Sequence, residues 1–155
     1  MNKKLPGWVG VLVVIAVIWP GQAAGHGIGA DIIRWADGNQ DGGMKNIYGQ
    51  LAIAGDAALI LGYSTGDDLT IWEGGARYYF GRYMNATFLQ LGIGYHDRNG
   101  DDDYGFVGAL GYERKLNGYI AVSGAVKIIA GVDKAVMGYD KAPVFQPVMS
   151  VMIAF

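Results

Sequence analysis

Bulky apolar residues alternate with small or polar ones through most of this chain. Leu89, Leu91, Ile93 and Tyr95 alternate with Phe88, Gln90, Gly92 and Gly94, and Phe106, Leu110 and Tyr112 with Val107, Ala109, Gly111 and Glu113. Ile120, Val122, Val126 and Ile128 oppose Ala121, Ser123, Ala125 and Lys127, and Trp72, Ala76, Tyr78 and Phe80 oppose Glu73, Gly75, Arg77 and Tyr79. Successive side chains of a strand point to opposite faces, so a period of two predicts β-structure with one strongly apolar face. Read this way, strands cover residues 27–35, 44–54, 57–63, 70–80, 86–96, 104–113, 119–129 and a closing segment ending in 147–155. The first is ambiguous in its alternation and the third uniformly apolar, so the other six carry the argument.

The last nine residues are the most informative. Met149, Val151, Ile153 and Phe155 share one parity, Val148, Ser150, Met152 and Ala154 the other, and the strand runs to an aromatic chain end. An exposed apolar edge of this kind invites aggregation, unless the last strand pairs with the first and the sheet closes. In each strand the bulky parity excludes charge and is too continuous to face water, while the polar parity is too small to be a solvent coat. The pattern is inside-out, as in barrels whose outer face meets lipid. The expected class is all-β, an eight-stranded antiparallel transmembrane barrel. A soluble periplasmic barrel that binds an apolar ligand is the rival, and it requires Leu89, Leu91 and Ile93 around a central cavity.

Composition narrows the setting. In 155 residues there is no cysteine, which excludes a disulfide framework, a thiolate zinc site and a lipoprotein anchor. A net charge of -2 gives no support for nucleic-acid binding. The 26 glycines and frequent aromatics suit short strands rather than helices. At the amino end, Lys3 and Lys4 precede an apolar run from Val9 to Ile18, broken by Pro20 and Gly21. This is the form of a cleaved signal peptide, residues 1–23, leaving 24–155 as one barrel domain. The run falls short of the roughly 20 residues a spanning helix needs.

The connections divide into two kinds. Those after the first, third, fifth and seventh strands are longer and carry Asp37, Asp41, Asp67, Asp68, Asp97, Asp101, Asp102, Asp103, Asp133 and Asp140. The alternate turns are short and carry Arg82, Arg114 and Lys115. Trp35, Tyr63, Trp72, Tyr95 and Tyr104 fall towards the long loops, and Tyr78, Phe80, Tyr112, Tyr119 and Phe155 towards the turns, as two interfacial girdles. Together with the terminal Phe155, this organisation resembles the small eight-stranded outer-membrane barrels of the OmpA/OmpX type over the whole mature chain. The resemblance implies a Gram-negative outer-membrane location among membrane lipids and lipopolysaccharide, with acidic loops outside. It also implies that Phe155 is read by the barrel insertion machinery.

Three constellations are candidates for chemistry. Asp31, Glu73, Arg77, Gln90, Glu113 and Lys127 take the inward parity, with Gln50 beside them. An eight-stranded barrel is barely wide enough for its side chains, so these charges must pair. Counting along the strands sets Glu73 level with Lys127 and Asp31 level with Arg77, which favours a structural plug over an ion path or small pore. Asp37, Asn39 and Asp41 fit the opening of a calcium loop, and Asp97, Asn99 and Asp101 have similar oxygen density. The position expected to hold a bidentate Glu is Tyr48, and Asn, Asp and Gly are ordinary turn residues, so no cofactor is expected. His96 lies at the outer rim with Ser64 the nearest nucleophile, the weak trace of a lipid-modifying enzyme.

The sequence therefore points to a non-enzymatic outer-membrane barrel with a structural or surface-interaction role and an unassigned extracellular partner. Deleting Phe155, or replacing it with Asp, should sharply reduce heat-modifiable barrel in the outer membrane while leaving signal processing unchanged. Undiminished barrel yield on fractionation would mean that the terminal strand is misread.

Overall fold

The computed structural model describes residues 25–36, 43–137 and 143–155. The predicted leader and the candidate calcium ligands Asp37, Asn39 and Asp41 lie outside the described residues. The strands are β1 (Gly27–Asp31), β2 (Lys45–Ala52), β3 (Ala57–Thr65), β4 (Leu69–Tyr79), β5 (Asn85–Arg98), β6 (Asp101–Lys115), β7 (Ile120–Ala130) and β8 (Val144–Ala154). They close in chain order into an antiparallel barrel, with β1 paired to β8. Following directly paired residues round the wall from Gly27 leads through Gln50, Ile60, Gly75, Gly92, Val107 and Ile129 to Val144. The partner of Gly27 on β8 is Ala154, ten residues from Val144, which is a shear number of 10. Strand tilt and interior width follow from that stagger and the strand number.

The two parities take the faces that the alternation predicts. Leu91, Ile93 and Phe106 lie on the outside at 63%, 59% and 73% exposure, while Phe88, Gln90 and Glu113 are buried in the lumen. On β8, Met149, Val151, Ile153 and Phe155 are exposed, and Ser150, Met152 and Ala154 are buried. The soluble ligand barrel is thereby contradicted, since Leu89, Leu91 and Ile93 surround nothing and line the outer wall. Tyr63, Trp72, Tyr95 and Tyr104 are successive cross-strand partners on β3 to β6. Tyr63 and Trp72 stand 4.5 Å apart between ring centroids and Tyr95 and Tyr104 5.0 Å. Such tilted contacts suit the ring quadrupoles.

Three local elements differ from the sequence reading. The first strand stops at Asp31 and gives way to a short helix, α1 (Ile32–Ala36). The adjacent pair Ile32-Ile33 breaks the period of two, and the Asp31 carboxylate accepts the Ile33 N–H at 3.0 Å, as a helix-capping side chain does. The segment 97–103 is not an open loop. β5 and β6 continue to a two-residue turn at Asn99 and Gly100, with φ of 53° and 96°, the geometry of a tight type I′ hairpin. Finally, the long connection after β7 contains α2 (Lys134–Met137). Val132, Val136 and Met137 pack there on Ile129 and Val144.

The β7–β8 connection is tied to the hairpin. Asp133 N–H donates to Asp103 Oδ2 at 2.6 Å, and Arg98 Nε to the Val136 carbonyl at 2.9 Å. Those backbone donors, from Asp133 and Tyr104, hold the Asp103 carboxyl below its ordinary range. A depressed acid contributes stability above its unfolded pKa and loses it as pH falls through the folded value, so this tie persists into acid below the usual aspartate range.

Gly75 and Gly92 face each other across β4 and β5, where a Cβ on Gly92 would meet the Gly74 carbonyl oxygen. Gly92→Ala should therefore destabilise the barrel by about 1–3 kcal/mol through forced backbone shift. Gly49→Ala, whose Cβ would have nothing within 4 Å, should be neutral. Urea unfolding followed by gel mobility in detergent separates the two, and equal midpoints would contradict the close approach.

Candidate functional site

The lumen is closed at both ends and polar between them. Towards the short turns, Met84, Ala121, Met152 and Ala154 form a buried cluster with Tyr48 and Tyr83. Met84 is left-handed at φ 57°, a conformation uncommon outside glycine, and it turns its side chain into the barrel end. Towards the long connections, Met44, Leu69 and Ile71 form a second cluster and the α2 residues a third.

Two ion-pair networks occupy the space between. In the first, Arg77 Nη1 donates to Glu113 Oε2 at 2.7 Å and to Gln50 Oε1 at 2.9 Å. Its Nε and Nη2 both donate to Gln90 Oε1, at 3.1 and 2.8 Å, and the guanidinium lies 3.9 Å from the Phe88 ring centroid. Tyr79 donates to Glu113 Oε1 at 2.6 Å, and Gln50 Nε2 is 2.7 Å from the Tyr79 hydroxyl and 3.2 Å from that of Tyr83. In the second, Lys127 Nζ lies 2.7 Å from both oxygens of Glu73. Arg34 Nη1 donates to Ser64 Oγ at 2.8 Å and lies 3.7 Å from Glu73 Oε1. Hydrogen bonds to charged groups contribute about 1.5–3 kcal/mol each when fully made, so these clusters lock the interior instead of leaving ions stranded.

Of the two expected cross-lumen pairs, Glu73 and Lys127 meet, and Asp31 and Arg77 do not. Arg77 pairs with Glu113. The Asp31 carboxylate takes the backbone N–H groups of Ile33 and, at 3.2 Å, Met149. The sequence reading missed Arg34. A strand through residues 27–35 puts Asp31 inward and Arg34 outward, and only the switch to helix brings Arg34 inside. It also missed the Tyr79 and Tyr83 hydroxyls, whose signal was Tyr79 on the same parity as Glu73 and Arg77.

His96 is fully buried, in register with Ile71 of β4 and Asp103 of β6. Neither ring nitrogen has a hydrogen-bond partner among the described residues. Ser64 is two strands away in the same row, through Ile71, a backbone separation of about 10 Å. Its oxygen accepts from Arg34, so the structure does not bring serine and histidine together as a base and nucleophile. Asp97 and Asp101 stand at the base of the hairpin with Asn99 in its turn. The Asp97 carboxylate accepts the Gly100 N–H at 3.0 Å. Among the described residues, no three acidic or imidazole groups converge as metal ligands. Phe155 exchanges both backbone hydrogen bonds with His26, at 2.7 and 2.8 Å, and its ring is exposed. A cavity of about 60 Å³ separates the two networks, lined by Arg34, Ser64, Glu73, Arg77, Gln90 and Lys127 among others.

The fold and this interior define a class, the closed eight-stranded antiparallel barrel with an apolar exterior and a filled polar lumen. The N-terminal β-barrel domain of Pseudomonas aeruginosa OprF, known from a crystal structure, is similar to it. The two share a TM-score of 0.63 at 11% identity over 84% of this chain and 97% of that one. No protein-family model and no curated protein sequence matches the chain.

The first network makes a quantitative prediction. Glu113→Ala leaves the Arg77 guanidinium without its counter-ion and should cost about 3–5 kcal/mol, whereas the paired change Arg77→Met with Glu113→Leu should cost less than either single change. Unfolding free energies in detergent, arranged as a double-mutant cycle, measure this, and additive losses would show that the pair is not coupled.

Proposed function

We propose that this chain is a small outer-membrane barrel without enzymatic activity, acting as a structural or surface-interaction element of the cell envelope. One observation carries the reading: the continuous apolar face on the outside of a closed barrel whose inside is polar and filled. Water would leave that face as a large exposed hydrophobic surface, and hydrocarbon matches it. Residues 1–23 serve as the export signal, and Phe155 as the terminal residue for the insertion machinery. The surrounding bilayer and its lipopolysaccharide are the immediate partners.

The end with the long connections faces outward on this reading. The exposed Asp67, Asp68, Asp101, Asp102 and Asp133 form its acidic rim, the surface for an external partner or for cations held by lipopolysaccharide. A hydrolytic or acyl-transfer role finds no support in the separation of His96 and Ser64, and a pore none in a lumen stopped at both ends.

Cell fractionation with heat-modifiable gel mobility tests the location, and recovery of the protein in the soluble periplasm would overturn it. The same purified barrel should show little conductance in planar bilayers. Large stable single-channel steps would replace the structural role with that of a pore.

A further inference from the structure

The barrel wall is incomplete over part of its height. β1 pairs with β8 only as far as Asp31 opposite Ser150, and with β2 only as far as Gly29 opposite Tyr48. β8 continues beyond that point to Val144, and β2 to Lys45. Along β8 the odd-numbered N–H groups face β1, since Phe155 N–H bonds to His26 while Ala154 N–H bonds to Tyr119. Beyond the end of β1, the Met149 N–H goes to the Asp31 carboxylate, and Pro147 has no N–H to offer. On the facing edge, the Asn46 amide clasps the Asp31 backbone at 2.6 and 2.8 Å, and Met44 N–H bonds to the Arg34 carbonyl at 2.9 Å. Both edges are thus blunted where strand pairing stops, and α1 packs against β8 and β2 there. The luminal cavity is lined on this side by Asn46, Ile47 and Val148. Ile47 belongs to the outward parity and is 53% exposed, so the cavity reaches the outer wall at the gap.

Behind the gap stands Arg34, 6% exposed, with its Nη2 buried and without a hydrogen-bond partner. The neighbouring carboxylates are engaged elsewhere, Glu73 with Lys127 through both oxygens and Asp31 with two backbone N–H groups. Ser64 Oγ accepts from Arg34 and so keeps its own hydrogen to donate. Two directed donors therefore face a small space that opens sideways.

We propose that this gap is a lateral entrance through which the carboxylate of a fatty-acid-like amphiphile reaches Arg34 and Ser64. The tail stays outside, along the exposed Ile47, Phe145 and Met149. Size selects the headgroup. A cavity of about 60 Å³ has room for about four waters, enough for a carboxylate and too little for a glycerophosphate headgroup. Charge and geometry select it too, because a guanidinium with a free nitrogen offers charge-assisted hydrogen bonds to a carboxylate. The proposal rests on the membrane-embedded reading, since only there does the tail lie in hydrocarbon.

The test uses protein extracted from membranes into non-ionic detergent, with Trp72→Phe as background so that Trp35 on α1 is the reporter. Its probe is a stearate brominated at mid-chain, which quenches a nearby indole. We expect saturable quenching that oleate reverses and methyl oleate does not. Arg34→Gln should weaken binding at least about tenfold, and Arg34→Lys, which keeps the charge but loses the planar fork, by about threefold. Heat-modifiable mobility shows that each variant is folded; if Arg34→Gln is not, the lysine variant and the ester decide. Unchanged quenching in the arginine variants, or competition by the ester, means partition into the micelle and overturns the proposal. Acetate competing as well as oleate means a small-anion site only, and overturns it equally. Because binding is read in micelles, its failure leaves the membrane reading intact, whereas recovery of a soluble barrel without detergent defeats that reading instead.

Discussion

The width of the barrel governs the rest of this structure. Eight strands at a shear of 10 enclose a space that side chains themselves must fill. Every inward residue is therefore either packed against another or bonded to one, and an inward charge without a partner would carry a severe desolvation cost. Arg77 shows the consequence. Its donors reach Glu113, Gln50 and Gln90 on three different strands, so one side chain cross-links β2, β4, β5 and β6 through the interior. Glu73 and Lys127 do the same for β4 and β7. Wall hydrogen bonds fix each strand to its neighbours, and luminal bonds fix strands that are not neighbours.

The same constraint explains which features were legible from the sequence. Parity is a local property, so the outward Leu89, Leu91 and Ile93 and the inward Gln90, Glu113 and Lys127 could be read directly from alternation. Cross-lumen partnership is not local. Counting heights along separate strands set Asp31 level with Arg77, but a row of paired residues climbs round a sheared barrel, and the climb carries Arg77 to Glu113. Arg34 was illegible for a further reason: its face depends on β1 ending at Asp31, and that ending depends on Asn46 and Met149, which are distant in sequence. The Asn99-Gly100 turn was the reverse case. Its residues state the turn type openly, and the surrounding aspartates obscured the fact that the strands continue through them.

The short β1 also shapes how the two halves of the wall differ. Near the chain ends, closure is complete, with His26 and Phe155 exchanging a pair of backbone bonds and five registered pairs following from Gly27 to Asp31. Further along, the seam is held by side chains and a helical turn. Backbone ladders are cooperative along their length, whereas Asn46, Asp31 and the Met44 to Arg34 bond are single contacts. Local opening takes place where backbone pairing is thinnest, which puts the softest part of the wall beside α1 and the stiffest at the long β5–β6 hairpin.

Glycine completes the argument about width. Each inward glycine leaves the space that one large inward neighbour occupies. Gly29 lies under the Tyr48 ring, Gly27 beside the Met152 side chain, Gly111 beside Phe88, Gly94 beside His96 and Gly105 beside Val132. Gly29 with Tyr48 and Gly111 with Phe88 are direct cross-strand partners, so the pairing of large with small is built into the register. A one-residue slip of either strand would set glycine against the outer wall and bring two bulky groups together inside, and a lumen this narrow has no room for both. The glycines that first read as a mark of strands and turns thus also specify register: with polar networks satisfied only in one alignment and small residues placed only where large ones enter, the interior admits one pairing of each strand with the next.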